Sequence, residues 1–254
     1  MRSEIESYLE DLTEVLSHQL GSCLAGLYVA GSLALDEFSP DLSDIDIIAV
    51  TGTGLTKEAK RRLAASLRHE QLACPAEGLD FVLYARTSVN PAVRVPRFDF
   101  SIASGRHWAD EIELGGPYAG GVVDLEYCRQ HGRVLIGPAA REMIGPIDSR
   151  WVLTELLQTV RWHRERIHDS FHDPYGYNAV LNASRAWTYR ETRQLVSKRQ
   201  GGEWLLARRP ELAIVADAVR ARERGTKATL ERGAVRALLD LVEQELGPAG
   251  APSD

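Results

Sequence analysis

The sequence predicts an α+β chain in which a half that mixes strands and helices is followed by an all-helical half. Three observations carry this. Short apolar runs of strand length recur before residue 147. After Pro146 those runs stop, and apolar residues repeat at helical spacing. Within the second half, Gly201-Gly202 and Pro210 act as punctuation between helices. The expected division is residues 1–147, residues 148–246, and a flexible Gly/Pro/Ala-rich tail over Gly247–Asp254.

The first segment reads as a helix. Ser3 is placed to cap it, Glu6 to complete a capping box, and Ile5, Leu9, Leu12, Leu16 and Leu20 form one face. Gly21 is its expected stop. Leu24–Ala30 is a short buried strand, broken by Gly31-Ser32, and polar residues then run to Ser43 with Pro40 barring regular structure. Ile45–Val50 is a second buried strand, interrupted only by Asp46. Lys57 to about Leu72 reads as a helix, and Leu79–Ala85 as a third strand. Phe98, Phe100 and Ile102 alternate with Asp99 and Ser101, the pattern of a half-exposed strand. Beyond Pro146, Trp151–Ile167, Tyr177–Leu195, Pro210–Arg222 and Ala228–Leu246 read as helices.

Composition narrows the function classes. A chain of 254 residues is long enough for one large domain or two modest ones. No apolar run reaches the roughly 18 residues of a membrane span. The charged start MRSEIESYLE lacks the apolar core of a signal peptide. Cys23, Cys74 and Cys128 are too scattered for a disulfide framework or a zinc site, so a cytoplasmic protein is expected. Residues 151–254 hold 16 basic and 14 acidic side chains, so the acidic surplus lies in the first 150 residues. An acidic half disfavours nucleic acid and favours metals or cationic ligands.

The strongest local signal is a strand, Gly31-Ser32, eleven further residues, and then Asp44-Ile45-Asp46 inside an apolar run. In a strand, residues i and i+2 share a side, so Asp44 and Asp46 present their carboxylates together while Ile45 and Ile47 face the other way. Such a pair repels itself unless a cation sits between, and hard oxygen ligands suit magnesium. Gly31 permits a sharp turn close to a ligand, and a short helix starting at Ser32 or Leu33 would offer its N-terminus and the Ser32 hydroxyl to phosphate. Together these make a site for a metal-bound triphosphate, where transfer depends on positioning and charge neutralisation. Asp80, opening the third strand, is the candidate third carboxylate, as metal ligand or general base, with Glu77 as the fallback. From Arg185 to Arg209 there are seven basic residues against Glu191 and Glu203, a source of phosphate partners.

The stretches LYVAGSLALDEFSPDLSDIDIIAV, LDFVLYA, NAVLNASRAWTY and LVSKRQGGEWLLARRPE resemble the aminoglycoside adenylyltransferases that modify streptomycin and spectinomycin, within the DNA polymerase β-like nucleotidyltransferase superfamily. The resemblance implies a polymerase β-like domain followed by a helical bundle. It implies a cytoplasmic antibiotic-resistance enzyme, expected as a monomer, that moves AMP from ATP to a drug hydroxyl and releases pyrophosphate. Asp44 and Asp46 would hold magnesium, and Gly31 and Ser32 would contact phosphate. Asp80 stands where the family usually has a glutamate base, one methylene longer. Lys198 matches a nucleotide-contacting lysine, and Arg185, which matches the arginine of the SR pair, is expected to bind the nucleotide with it. Trp108 falls near a tryptophan lining the drug site, and Asp169 or Asp173 would meet a drug ammonium group.

The segment Trp162–Tyr177, WHRERIHDSFHDPYGY, departs from the family spacing, which leaves streptomycin, spectinomycin and other aminocyclitols open. His163, His168 and His172 lie near helical spacing, with no carboxylate or Cys placed to complete a metal set. The alternative acceptor is a protein or a nucleotide. A different class, an RNA-cleaving helical module, is suggested only by the spacing of Arg161 and His168.

Overall fold

The computed structural model describes residues 2–35, 37–39, 43–107, 109–118, 120–168, 173–224 and 229–247. The chain forms two compact units, Met1–Ile147 and Asp148–Asp254. Among the described residues, no helix is long and apolar enough to cross a membrane.

The first unit opens with helix α1 (Arg2–Leu20) and a single 3-10 turn, Gly21–Cys23. The helix begins before Ser3, so Ser3 and Glu6 lie inside it rather than forming a cap. Strand β1 (Leu24–Val29) follows, then a one-turn helix α2 (Gly31–Ala34) and strand β2 (Ile45–Thr51). Helix α3 (Lys57–Leu67) is capped by Thr56, whose hydroxyl accepts from the Ala59 N–H. It stops at Leu67, short of the expected Leu72, because Arg68 turns extended. Strand β3 (Gly78–Ala85) leads into the short helix α4 (Arg86–Val89).

The alternating Phe98–Ile102 segment is two strands, β4 (Arg97–Phe98) and β5 (Phe100–Gly105). They divide at Asp99, whose carboxylate accepts from the Leu55 N–H at 2.6 Å and pairs with Lys60 on α3 at 2.6 Å. Phe98, Phe100 and Ile102 are all buried, so the pattern marks a strand covered on its apolar face. Strands β6 (Glu111–Glu113) and β7 (Gly116–Pro117), helix α5 (Gly121–His131), strand β8 (Arg133–Ile136) and helix α6 (Ala140–Met143) complete the unit.

The main sheet has the order β6-β5-β3-β2-β1-β8, with β4 and β7 paired separately. Only β2 and β3 run parallel; the other pairings in the sheet are antiparallel. Alternation along the strands sorts side chains to two cores. Ile45, Ile47, Leu79 and Phe81 join Leu9, Leu12 and Leu16 of α1 and Leu63 of α3 on one face. Ile48, Val50, Val82 and Tyr84 join Leu125 and Cys128 of α5 and Met143 of α6 on the other. The even-numbered positions of β2 and β3 therefore look toward α5, and this parity places the candidate site.

The second unit is helical throughout its described residues: α7 (Ser149–Glu165), α8 (Tyr177–Thr192), α9 (Lys198–Arg208), α10 (Ala213–Glu223) and α11 (Arg232–Leu246). Its central helix is α8, buried along most of its length. Helix α9 corrects the reading of Gly201-Gly202 as punctuation, since both glycines are buried inside it. A Cβ on Gly202 would meet Val219 Cγ2 at 2.5 Å and Leu181 Cδ2 at 3.1 Å, so the missing side chain lets α9 sit tightly on α8 and α10. The start was written in the sequence: Ser197 and Gln200 form a reciprocal capping box.

Candidate active site

The first unit gathers carboxylates at one end of its parallel strand pair. Asp46 and Asp80 are register partners across β2 and β3. Both have the parity of the α5-facing core, and Asp44, just before the strand, is near enough for its charge to act on Asp80. Parallel strands start at the same edge, so two aspartates near the heads of β2 and β3 become neighbours. Asp44 is exposed, and Asp46 and Asp80 are half-buried.

Gly31 presses against this pair. Its φ is +57°, in the left-handed region, and a Cβ there would fall 1.6 Å from Asp46 Oδ2. No side chain fits. The Ala30 N–H donates to the Asp46 carbonyl at 2.8 Å, which ties the end of β1 to the start of β2. Gly31-Ser32 therefore opens α2 directly beside the Asp46 carboxylate, with Ser32 half-buried.

A fourth carboxylate, Asp124 on α5, belongs to the same end of the sheet and was missed from sequence. Helix α5 packs Leu125 and Cys128 onto the even-numbered face of the sheet. Burial pushes the Asp80 carboxyl up to about 7, with Asp124 and then Asp44 adding repulsion. The Asp124 charge is also the largest cause raising Tyr118, whose hydroxyl is hydrogen-bonded to it, and it contributes to raising Tyr84 and Cys128. The usable signal was Gly120-Gly121 at the start and Arg129, His131 and Gly132 at the end of a helix-length segment. The segment showed little amphipathic contrast because it is buried on several sides, Glu126 and Tyr127 included.

The oxygen donors of Asp44 and Asp46 are of the type that magnesium takes. Among the described residues, no group of three or more His, Cys, Asp or Glu side chains is placed to hold a metal ion. Magnesium does not need such a group; it is commonly held by one or two carboxylates together with substrate phosphates. The repulsion that Asp44 and Asp124 exert on Asp80 is the kind a cation relieves.

In the second unit, Arg185 and Lys198 share a polar cluster along α8. Lys198 Nζ donates to Asn178 Oδ1 at 2.8 Å, and Arg185 Nη1 lies 3.5 Å from Asn182 Oδ1. Asn178, Asn182 and Arg185 are spaced i, i+4, i+7 and so lie along one face of the helix. Asp173 caps α8: its carboxylate accepts from the Gly176 N–H at 3.1 Å and the Ala179 N–H at 2.8 Å. Its first visible task is thus structural. Trp108, Asp169 and His172 lie outside the described residues. His163 is buried in α7 and His168 is on an exposed turn, while Arg161 is engaged by Glu243 of α11 at 2.7 Å.

Known proteins resemble this chain in sequence and in fold. Residues 142–244 match the family described as aminoglycoside adenylyltransferase, C-terminal domain. An aminoglycoside (3'')(9) adenylyltransferase from Rhizobium radiobacter is 24% identical over 219 residues, covering 82% of this chain and 78% of that protein. One from Shigella flexneri is 23% identical over 221 residues, covering 82% and 80%. The crystal structure of a spectinomycin adenyltransferase from Enterococcus, solved with ATP and spectinomycin, superposes with a TM-score of 0.71 at 16% identity. It covers 95% of this chain and 98% of that one, a likeness of fold. This chain is a nucleotidyltransferase related to the aminoglycoside adenylyltransferases.

Proposed function

We propose that the chain transfers AMP from ATP to a hydroxyl of a cationic aminoglycoside or aminocyclitol antibiotic of the streptomycin and spectinomycin class, releasing pyrophosphate. The observation that carries this is the in-register Asp46–Asp80 pair, with the Asp44 charge acting on Asp80 and Gly31 flush against Asp46. In this reading residues 1–147 are the nucleotidyltransferase domain and residues 148–246 the helical domain. The three cysteines are free, which suits a cytoplasmic enzyme.

Asp44 and Asp46 hold magnesium, which when bound offsets the charge of the triphosphate. Gly31 and Ser32 leave room for phosphate beside Asp46. Arg185 and Lys198 contact the nucleotide from the helical domain. Asp80 takes the proton from the acceptor hydroxyl as its oxygen attacks the α-phosphorus and the bond to the pyrophosphate oxygen breaks. With magnesium beside it the Asp80 carboxyl would be ionised at neutral pH and able to accept that proton. Asp124 adds negative charge where a polyamine drug would enter, and Trp108 and Asp173 remain the candidates for further drug contacts.

The test is incubation with ATP, magnesium and a panel of aminoglycosides and aminocyclitols, followed by mass detection of a drug carrying one AMP and an assay for pyrophosphate. No adduct across the panel, together with a labelled protein band when radiolabelled ATP is added to cell extract, would move the acceptor from drug to protein.

A further inference from the structure

Arg185, the proposed nucleotide contact on α8, is held from behind by two polar residues. Asn182 lies one turn before it on α8. Its Oδ1 faces Arg185 Nη1 at 3.5 Å, and its Nδ2 lies 3.0 Å from Nε2 of His163 on α7. His163 is 7% exposed and stands edge-on to the Trp162 ring, with centroids 5.0 Å apart. On the far side, α9 roofs the arginine stem: a Cβ on Gly201 would be 3.0 Å from Arg185 Cγ and 3.2 Å from its Cα.

Donor and acceptor counting fixes the direction of this chain of contacts. A guanidinium only donates, so the Asn182 carbonyl oxygen must face Arg185. That leaves the Asn182 amide N–H for His163, and Nε2 must then accept. An accepting Nε2 means a neutral imidazole with its proton on Nδ1. We propose that His163 and Asn182 are positioning residues that orient the Arg185 guanidinium for the nucleotide; this rests on the reading of Arg185 as a nucleotide contact.

The arrangement tolerates one protonation state. If His163 gains a second proton, Nε2 becomes a donor facing a donor. Asn182 relieves the clash by rotating its amide, and the rotated NH2 then faces the guanidinium. ATP binding weakens as the pH falls. Among the described residues, the groups around His163 include Trp162 on its own helix, Asn182 on α8, and Arg166, Asp173, Tyr175 and Arg232 across a cavity of about 20 Å³. Asp173 is engaged by the α8 N–H groups, and the two arginines oppose a second positive charge.

Calorimetric titration of the full chain with ATP and magnesium, without acceptor, reads the effect. Asn182→Leu and His163→Phe should each weaken ATP binding about ten-fold, as expected for losing a hydrogen bond that orients a charged group. The double variant should be no worse than either single one. His163→Gln, whose amide oxygen can accept from Asn182, should stay within about two-fold at pH 8, and its ATP affinity should fall less than the parent's between pH 8 and pH 5.5. Additive losses, or a His163→Phe variant that is less thermostable but binds ATP normally, overturn the relay. A long-range 1H–15N NMR spectrum gives an independent reading, since His163 with its proton on Nε2 also overturns it. Arg185→Ala separates the two levels: normal ATP binding there defeats the nucleotide assignment of Arg185, while the tautomer still reports on the relay.

Discussion

Replacing Gly31 by alanine adds one methyl group and should cost far more activity than stability. The new Cβ would lie 1.6 Å from Asp46 Oδ2 and 2.4 Å from its Cγ. An ordinary non-bonded separation is about 3.5 Å, so the carboxylate must retreat by roughly 2 Å. Misplacement of a reacting group by about 1 Å can cost on the order of 100-fold in rate. Turnover should therefore fall at least about 100-fold, equivalent to about 2.7 kcal/mol of barrier. Stability suffers mainly from holding alanine at φ +57°, about 1–2 kcal/mol, which at this chain length is a melting shift of roughly 2–8 °C. The assay pairs pyrophosphate release at saturating ATP and drug with thermal melting of the same preparation. Turnover within ten-fold of the parent in a well-folded Gly31→Ala protein would refute the claim that this contact positions the Asp46 carboxylate for the reaction.

Three further predictions concern other parts of the chain. In metal-free protein, the Asp80 carboxyl should titrate near 7 against an ordinary 3.8. Its folded value is raised, so its contribution to stability is fully present below about 4 and is lost as the pH rises through about 7, by up to about 4 kcal/mol. Asp80→Asn or added magnesium should recover part of that loss at pH 8 in a denaturant melt; a variant that melts like the parent at both pH 5 and pH 8 contradicts it. Lys60→Met leaves the partly buried Asp99 without its 2.6 Å ion pair and should cost about 3 kcal/mol, and a loss below about 1 kcal/mol would show the pair to be incidental. Gly202→Ala gains about 1 kcal/mol of helix propensity but forces a methyl against Val219, so a net loss of about 1 kcal/mol is expected by chemical denaturation; net stabilisation would mean that α9 has room there.

Much of the fold was legible because its signals are local. The strands at Leu24, Ile45 and Leu79 are short apolar runs bounded by turn residues, and α1 and α11 repeat their apolar residues on one face. What escaped was structure whose signal is tertiary. Helix α5 is buried on several sides, so its sequence has little polar contrast to read. Gly201 and Gly202 looked like breakers because propensity alone counts against them, yet close packing on α8 and α10 is what favours them inside α9. The segment at Phe98 read as one strand because the kink at Asp99 comes from an ion pair with Lys60, thirty-nine positions away.

The site divides along the same line. Asp44 and Asp46 were visible because two aspartates stand two apart where an apolar run begins, and the strand period that orients Asp46 also places Ile45 and Ile47 in the opposite core. The reason for Gly31 was only half visible: a turn was expected, whereas the structure adds that the glycine leaves space for one particular carboxylate oxygen. Asp80 became the partner of Asp46 only through strand register, which depends on the two chains pairing in parallel without a slip. Asp124 required the three-dimensional fold altogether, since nothing local links α5 to β2. Under the proposed function, a drug carrying several ammonium groups would meet the sum of these charges. For that acceptor, the carboxylate hardest to find in the sequence joins the easy pair in a single electrostatic environment, and Asp80, raised by both Asp124 and Asp44, is the residue through which the two are coupled.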